Sequence, residues 1–311
     1  MKKMTRFLIG LLVVLLFALP LFFHEKEKKS AAVKVAEVEA CEAMIKVEGQ
    51  AEAMPLEEYV LGVVAAEMPI SFHEEALKAQ AIAARTYVLK TTNGGLDSIS
   101  PTVLRQVFID KEQRMSKWGE YFPGNESKLE KIIEETRGRI LNYKGELITA
   151  MFHSMSNGQT ESSEGFSGNE VSYLTTVDSE WDKNLPNFTQ AKVISLRDWQ
   201  LIFGSNFGKE DFAGLVLERN ESNRVARMVT EEKVWEGREV RELLNLRSTD
   251  FEVEFDSGKE LVTIITRGYG HGVGMSQYGA DAMAQIGENA ESILKHYYQD
   301  IEINVWNGCL K

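Results

Sequence analysis

The sequence predicts an α+β fold: a single membrane-anchor helix, then a mixed α/β core carrying an inserted smaller subdomain. Three features lead there. Residues 7–23 form an unbroken apolar run. Residues 55–67 and 74–92 show long helical periodicity. Residues 186–262 alternate hairpin signals with short helices. With 311 residues, 43% of them hydrophobic, the chain can bury one large core or two modest ones.

Lys2, Lys3 and Arg6 precede the apolar run, and a charged segment, 24–29, follows it. As a helix, 17 residues reach about 26 Å, just enough to span hydrocarbon. No small-x-small cleavage site follows, so residues 1–24 are expected to be a retained signal anchor rather than a cleaved peptide. The basic flank predicts a cytoplasmic N-terminus, with everything after residue 30 or so outside. Residues 25–40 read as a linker and 41–311 as the folded region. The two cysteines, Cys41 and Cys309, are either a pair in an oxidising compartment or two free thiols. The net charge of −12 and the lack of a dense basic patch argue against nucleic-acid binding.

A loose strand is expected over 43–49. Pro55 opens a helix that ends before Pro69. A second helix runs from Glu74 to Thr92, acidic at its start and alanine-rich inside, and "TTNGG" ends it. An amphipathic helix follows over 125–137, then strands at 139–143 and 146–153. Residues 154–169 are rich in Ser, Gly and Asn and read as a long loop, a frequent home of function. Within 186–262 come a helix near 195–203, a hairpin (214–219 with 225–230) and a helix at 237–246. Strands 251–255 and 260–266 turn at Asp256-Ser257-Gly258. "RGYGHGVGMSQYGA" (267–280) then leads a Gly-rich strand end into a helix N-terminus, a place where backbone N–H groups hold oxygen-rich ligands. A helix at 290–298 and a strand at 301–305 close the chain. No internal repeat is visible.

The candidate chemistry starts from an anomaly. Val60, Val63 and Val64 lie at i, i+3 and i+4 of an apolar stripe whose i+7 position is Glu67. A carboxylate on an apolar face has a raised pKa, which suits a general acid. Arg85 lies among Ala81, Ile82, Val88 and Leu89. A Glu67–Arg85 pair is either structural or a poised site in which the arginine holds the carboxylate or a substrate group. His153 ends an apolar strand and His271 sits within the glycine run. Ser154, Ser156, Asn157, Gly272, Ser276 and Gln277 line the same polar segments. Tyr278, with Tyr173, Trp181 and Tyr269, adds aromatic surface. Neutral donors beside aromatic faces suit a carbohydrate, although loop solvation and core packing use the same residue types.

Five blocks carry a resemblance: "LEEYVLGVVAAEMP…EALKAQAIAARTY", "FHSMSNGQTE", "YLTTVDSEWD", "GREVRELLNLRSTDF" and "GYGHGVGMSQYGA". In this order, across roughly 41–305, the chain resembles the stage II sporulation protein D family. The resemblance implies a membrane-anchored lytic transglycosylase that cuts peptidoglycan between N-acetylmuramic acid and N-acetylglucosamine during forespore engulfment. It implies glycan lacking stem peptides as substrate, stage II sporulation proteins P (an amidase) and M as partners, and a site on the mother-cell side of the septal membrane. It assigns the catalytic glutamate to Glu67 and a second functional position to Arg85.

Some relatives carry zinc, bound by a histidine in the "FHS" block and cysteines soon after. Here His153 is present, but Ser162 and Ser163 stand where cysteines are expected. No cofactor and no structural metal are therefore expected. The competing class is a non-catalytic, peptidoglycan-binding enhancer of a cell-wall amidase, which keeps the groove but needs no acid.

Overall fold

The computed structural model describes residues 43–102 and 105–308. The expected anchor, the linker and the question of a Cys41–Cys309 pair lie outside the described residues. Among the described residues, no helix is long and apolar enough to cross a membrane.

The chain opens with β1 (Met44–Val47), β2 (Met54–Pro55) and α1 (Leu56–Glu67). Met68 ends α1 in extended backbone, because a residue before proline is pushed out of the helical region. Next come α2 (Glu74–Thr91) and β3 (Ser98–Ile99), which pairs in parallel with β1. Then follow α3 (Lys111–Trp118), α4 (Phe122–Glu135), β4 (Arg139–Tyr143) and β5 (Glu146–Leu147). The buried Arg114 grips Glu126 through two hydrogen bonds (2.9 and 2.7 Å), tying α3 to α4.

The middle of the chain contains β6 (Phe152–His153), α5 (Ser163–Ser167) and β7 (Thr189–Ser195). After them come α6 (Leu196–Phe203), α7 (Lys209–Ala213), β8 (Val216–Arg219), β9 (Val225–Val229) and β10 (Val234–Glu236). The chain continues through α8 (Gly237–Leu243), β11 (Phe251–Asp256) and β12 (Leu261–Arg267). It closes with β13 (Met275–Ser276), α9 (Gln277–Gln285), α10 (Ala290–Tyr297) and β14 (Glu302–Val305). The sheets are small: β2-β1-β3, β14-β4-β5, β11-β12-β7, β10-β9-β8 and the parallel pair β13-β6.

Two hydrophobic cores result. The larger surrounds α2, which packs against α1, α4, α9, α10 and β4. Its alanines explain this: Ala76, Ala79, Ala81, Ala83 and Ala84 are all fully buried, and small side chains let neighbours approach from every side. The second core lies wholly between Trp199 and Ile264 and is aromatic. Trp199 contacts Phe203, Phe207 and Phe212 with ring centroids 4.4–5.5 Å apart.

Several expectations need correction. The strand expected at 146–153 stops at Leu147. Its last two residues, Phe152 and His153, pair instead with Met275 and Ser276. Such a non-local partner is invisible to alternation along the chain. The segment expected as a long loop, 154–169, is largely buried at its start and contains α5. Bridges join it to Tyr269, Asp178 and Val273. The helix expected at 237–246 ends at Leu243, and Asn245 turns the chain with a left-handed φ of 47°. Helix α3 and edge strand β7 were not expected, because neither shows a strong apolar period: α3 buries only Arg114 and Trp118, and β7 is largely exposed.

Candidate active site

Glu67 is the last residue of α1, below Val60, Val63 and Val64, whose side chains are wholly buried. It is half-buried. Its Oε1 accepts a hydrogen bond from Val107 N–H (2.8 Å). Burial raises its pKa above the usual carboxylate value. The Val107 N–H and the Gln277 side chain, which also hydrogen-bonds it, draw it part of the way back. A helix C-terminus is also a poor place for an anion, since the dipole is negative there. Both hydrogen-bonding partners are neutral. Lys117 serves the helix end rather than the carboxylate: its Nζ donates to Ala65 O (2.7 Å).

Val107 reaches Glu67 because the chain crosses α1 at a glycine. A Cβ on Gly62 would lie 2.6 Å from Ile109 O and would strike the Phe108 ring. Phe108 in turn stacks on Tyr59, centroids 5.4 Å apart. The buried Tyr59 donates to Gln106 Oε1 (3.1 Å).

The opposite side of the site comes from the start of α9. Ser276 caps this helix, its Oγ accepting from Gly279 N–H (3.2 Å). Gln277 is the first helical residue, 5% exposed, and its Nε2 donates to Gln80 Oε1 (3.4 Å). The half-buried Tyr278 meets Phe72 edge-on at 5.0 Å. Tyr278 N–H donates to the carbonyl of Ser154 (3.1 Å), so Ser154, also half-buried, borders this surface. The structure thus gathers Glu67, Gln277, Tyr278 and Ser154.

Arg85 is elsewhere. It is fully buried and grips Glu57 rather than Glu67, with Nε 3.0 Å from Oε1 and a second bond from Nη2 to Oε2. The expected Glu67–Arg85 pair is therefore corrected. Glu57 and Glu67 are ten residues apart on one helix, about 15 Å along its axis, so one arginine cannot serve both.

Ser156 and Asn157 are buried in a polar seam. Ser156 N–H donates to Asp182 (2.8 Å), and Asn157 Nδ2 donates to Ser222 O (3.0 Å) and Asp250 (2.9 Å). Gly272 belongs to the same seam and not to an open floor. Its φ is +86°, and a Cβ there would lie 2.6 Å from the guanidinium carbon of the buried Arg224. A bulky residue at 272 would strain the backbone and displace the buried Arg224 side chain. Gly274 (φ +72°) lets the backbone lie against Met151 O, so that β13 reaches β6.

His153 and His271 lie side by side, ring centroids 5.7 Å apart. His153 Nδ1 is 3.2 Å from Val273 O, and its buried Nε2 has no hydrogen-bond partner among the described residues. His271 Nδ1 accepts from Val273 N–H (3.0 Å). Burial holds both imidazoles neutral, His153 well below its ordinary value and His271 at about 4. The serines in the cysteine positions are engaged structurally: Ser162 caps α5, and Ser163 Oγ accepts from Val171 N–H (2.7 Å). This donor set does not fit a zinc ion. Among the described residues, no group of three or more His, Cys, Asp or Glu side chains is placed to hold a metal. A cavity of about 490 Å³ is lined by Phe166, Arg238, Arg241 and His271, and Glu67 does not line it.

Gln80, Val107, Phe72 and Asp182 escaped the sequence reading. Gln80 left a trace, an amide alone among buried alanines. Val107 acts through its backbone and leaves none.

A profile of the family described as Stage II sporulation protein matches residues 46–143, which include Glu67 and Arg85. Stage II sporulation protein D of Bacillus amyloliquefaciens is 41% identical over 260 residues, covering 81% of this chain and 75% of that protein. The protein of the same name from Bacillus subtilis (strain 168) is 38% identical over the same shares. An amidase enhancer of Bacillus subtilis is 29% identical over 291 residues, covering 76% of this chain and 39% of that protein. With two such relatives matching across most of its length, this chain belongs to the stage II sporulation protein D family.

Proposed function

We propose that this chain is a lytic transglycosylase that cuts the glycan strands of peptidoglycan during sporulation, with Glu67 as its acid and base. The observation that carries this reading is the state of Glu67: half-buried, with neutral groups as its polar partners among the described residues, and raised in pKa by burial. Such a carboxyl group is protonated more readily than an ordinary glutamate, which is what a general acid requires. The half-buried Tyr278, met edge-on by the buried Phe72, offers an aromatic face, and the half-buried Ser154 a neutral polar group.

In this mechanism Glu67 donates its proton to the glycosidic oxygen between N-acetylmuramic acid and N-acetylglucosamine as the C1–O bond breaks. The resulting carboxylate takes the proton of the C6 hydroxyl while that oxygen bonds to C1. The product is a 1,6-anhydro sugar, no water is consumed, and Glu67 ends protonated as it began. One carboxyl group serves both steps, whereas an ordinary glycosidase needs two. The same reading places the folded region outside the cytoplasm, tethered through residues 7–23, on glycan stripped of peptides by an amidase, with stage II sporulation proteins P and M as partners.

The test is release of anhydro-muramic ends from peptide-free glycan by the full chain in detergent. Glu67→Gln should lower it about 10²–10⁴-fold, the usual contribution of general acid catalysis, with the fold intact. A folded Glu67→Gln chain cleaving at the wild-type rate ends the proposal. The likeness to an amidase enhancer supports a second reading, a peptidoglycan-binding activator without chemistry of its own. That reading expects no anhydro ends from the wild type, and an amidase stimulated equally by wild type and Glu67→Gln.

A further inference from the structure

We propose that Asp182 is a positioning residue for Glu67, acting through Ser276 and Gln277; this rests on the reading of Glu67 as acid and base. Asp182 lies in a short 3-10 turn (Glu180–Asn184) and is fully buried. Its Oδ2 accepts three hydrogen bonds, from Ser276 Oγ (2.8 Å), Ser156 N–H (2.8 Å) and Ser179 Oγ (3.2 Å). Its Oδ1 has no partner among the described residues. A buried carboxyl group with one bare oxygen is costly, and apolar packing would stabilise the same place more cheaply. The arrangement therefore calls for a purpose beyond stability.

That purpose lies in what the three donors fix. One holds the turn after β6, one holds the residue's own turn, and the third is the N-cap of α9. Ser276 is held from two sides, donating to Asp182 and accepting from Gly279 N–H. Its orientation sets the first residue of the helix, Gln277, whose amide donates to Gln80 (3.4 Å) and lies close enough to Glu67 to offset part of the effect of burial on that carboxylate. The path from Asp182 through Ser276 and Gln277 is buried throughout and reaches the half-buried Glu67 at its end. Loosening its far end should move the Gln277 amide off the carboxylate and let burial raise the Glu67 pKa further. Arg224 and Tyr297 are the charged and titratable groups felt at Asp182, and Tyr59 is the one felt at Glu67. These groups are untouched by the variants below.

The test uses the full chain with ¹³C-labelled glutamate, the Glu67 carboxyl signal being assigned by its loss in Glu67→Gln. Asp182→Ala should raise the Glu67 pKa and lower kcat about 10–100-fold, with little change in KM, as expected when a catalytic group is slightly misplaced. Asp182→Asn keeps an acceptor for Ser276 and Ser156 and should restore both. If Asp182→Ala does not fold, Ser276→Gly carries the same test, since glycine is tolerated at an N-cap. A folded Asp182→Ala or Ser276→Gly chain in which Glu67 titrates as in the wild type overturns the proposal. The titration needs no turnover. A shifted Glu67 in a chain that releases no anhydro ends would therefore support the coupling while ending the transglycosylase reading.

Discussion

The two ends of α1 treat a glutamate in opposite ways. At the N-terminal end, Glu57 is buried and neutralised by Arg85, with Gly138 N–H donating to it as well (3.2 Å). The helix dipole favours an anion in that first turn. At the C-terminal end, Glu67 is half-buried, faces neutral groups and stands against the dipole. The same side chain on the same helix is a structural clamp at one end and, at the other, a group whose pKa burial raises. Burial alone does not mark a functional carboxylate. Burial without a cation raises the pKa, because nothing then compensates the lost hydration of the charged form.

The sharpest way to break this comparison is at the clamp. Arg85→Ala should lower stability by roughly 3–5 kcal/mol, because it strands Glu57 in the core. Urea unfolding would show it as a lower midpoint with an unchanged slope. A paired replacement, Glu57→Leu with Arg85→Met, should recover much of that loss. If Arg85→Ala kept its stability and lost strand cleavage, the arginine would return to the chemistry and the contrast between the two ends would fail.

A smaller effect is expected where the chain crosses α1. Gly62→Ala places a methyl group against Phe108 and Ile109 O, and overpacking of this kind costs about 1–3 kcal/mol. It should also carry Val107 away from Glu67. Its signature is a destabilised protein whose Glu67 pKa has risen, whereas an overpacked site remote from the carboxylate would show only the first change.

The smallest effect tests the free end directly. Because the folded pKa of Glu67 lies above its ordinary value near 4.5, the group is neutral in both states at low pH and costs nothing there. As pH rises through 4.5 towards the folded value, the unfolded chain ionises first, and the native state is progressively disfavoured. Glu67→Gln should therefore match the wild type at low pH, gain stability through that window and keep the gain above it. Melting temperatures measured across pH would check this. A loss of stability at neutral pH would mean that Glu67 is paired after all.

The local pieces of this architecture were legible in the sequence. Helices Leu56–Glu67 and Glu74–Thr91 fall within a residue of the expected bounds, because periodicity, proline and acidic first turns act over a few neighbouring residues. The hairpin Phe251–Asp256 with Leu261–Arg267 was equally readable from its alternation and its Ser-Gly turn. The anomaly of Glu67 on an apolar stripe was visible for the same reason: one helix supplies both the stripe and its exception.

What surrounds that carboxylate was not legible. Arg85 and Glu67 looked like partners because both sit among apolar residues, but hydropathy does not say which ends of two packed helices meet. The packing of α1 on α2 brings Arg85 to Glu57, and the packing of α9 on α2 brings Gln277 to Gln80. The Val107 N–H carries no signal, since every residue but proline has one. His153 and Ser276 are neighbours across a parallel pair formed by residues more than a hundred positions apart. Ser156, Asn157 and Gly272 have the composition of an open loop, yet Asp182, Asp250 and Arg224 arrive from distant segments to bury them. Periodicity along one helix sets where Glu67 stands. That its carboxylate has no cationic partner among the described residues follows from packing, because a charge is compensated through space and not along the chain.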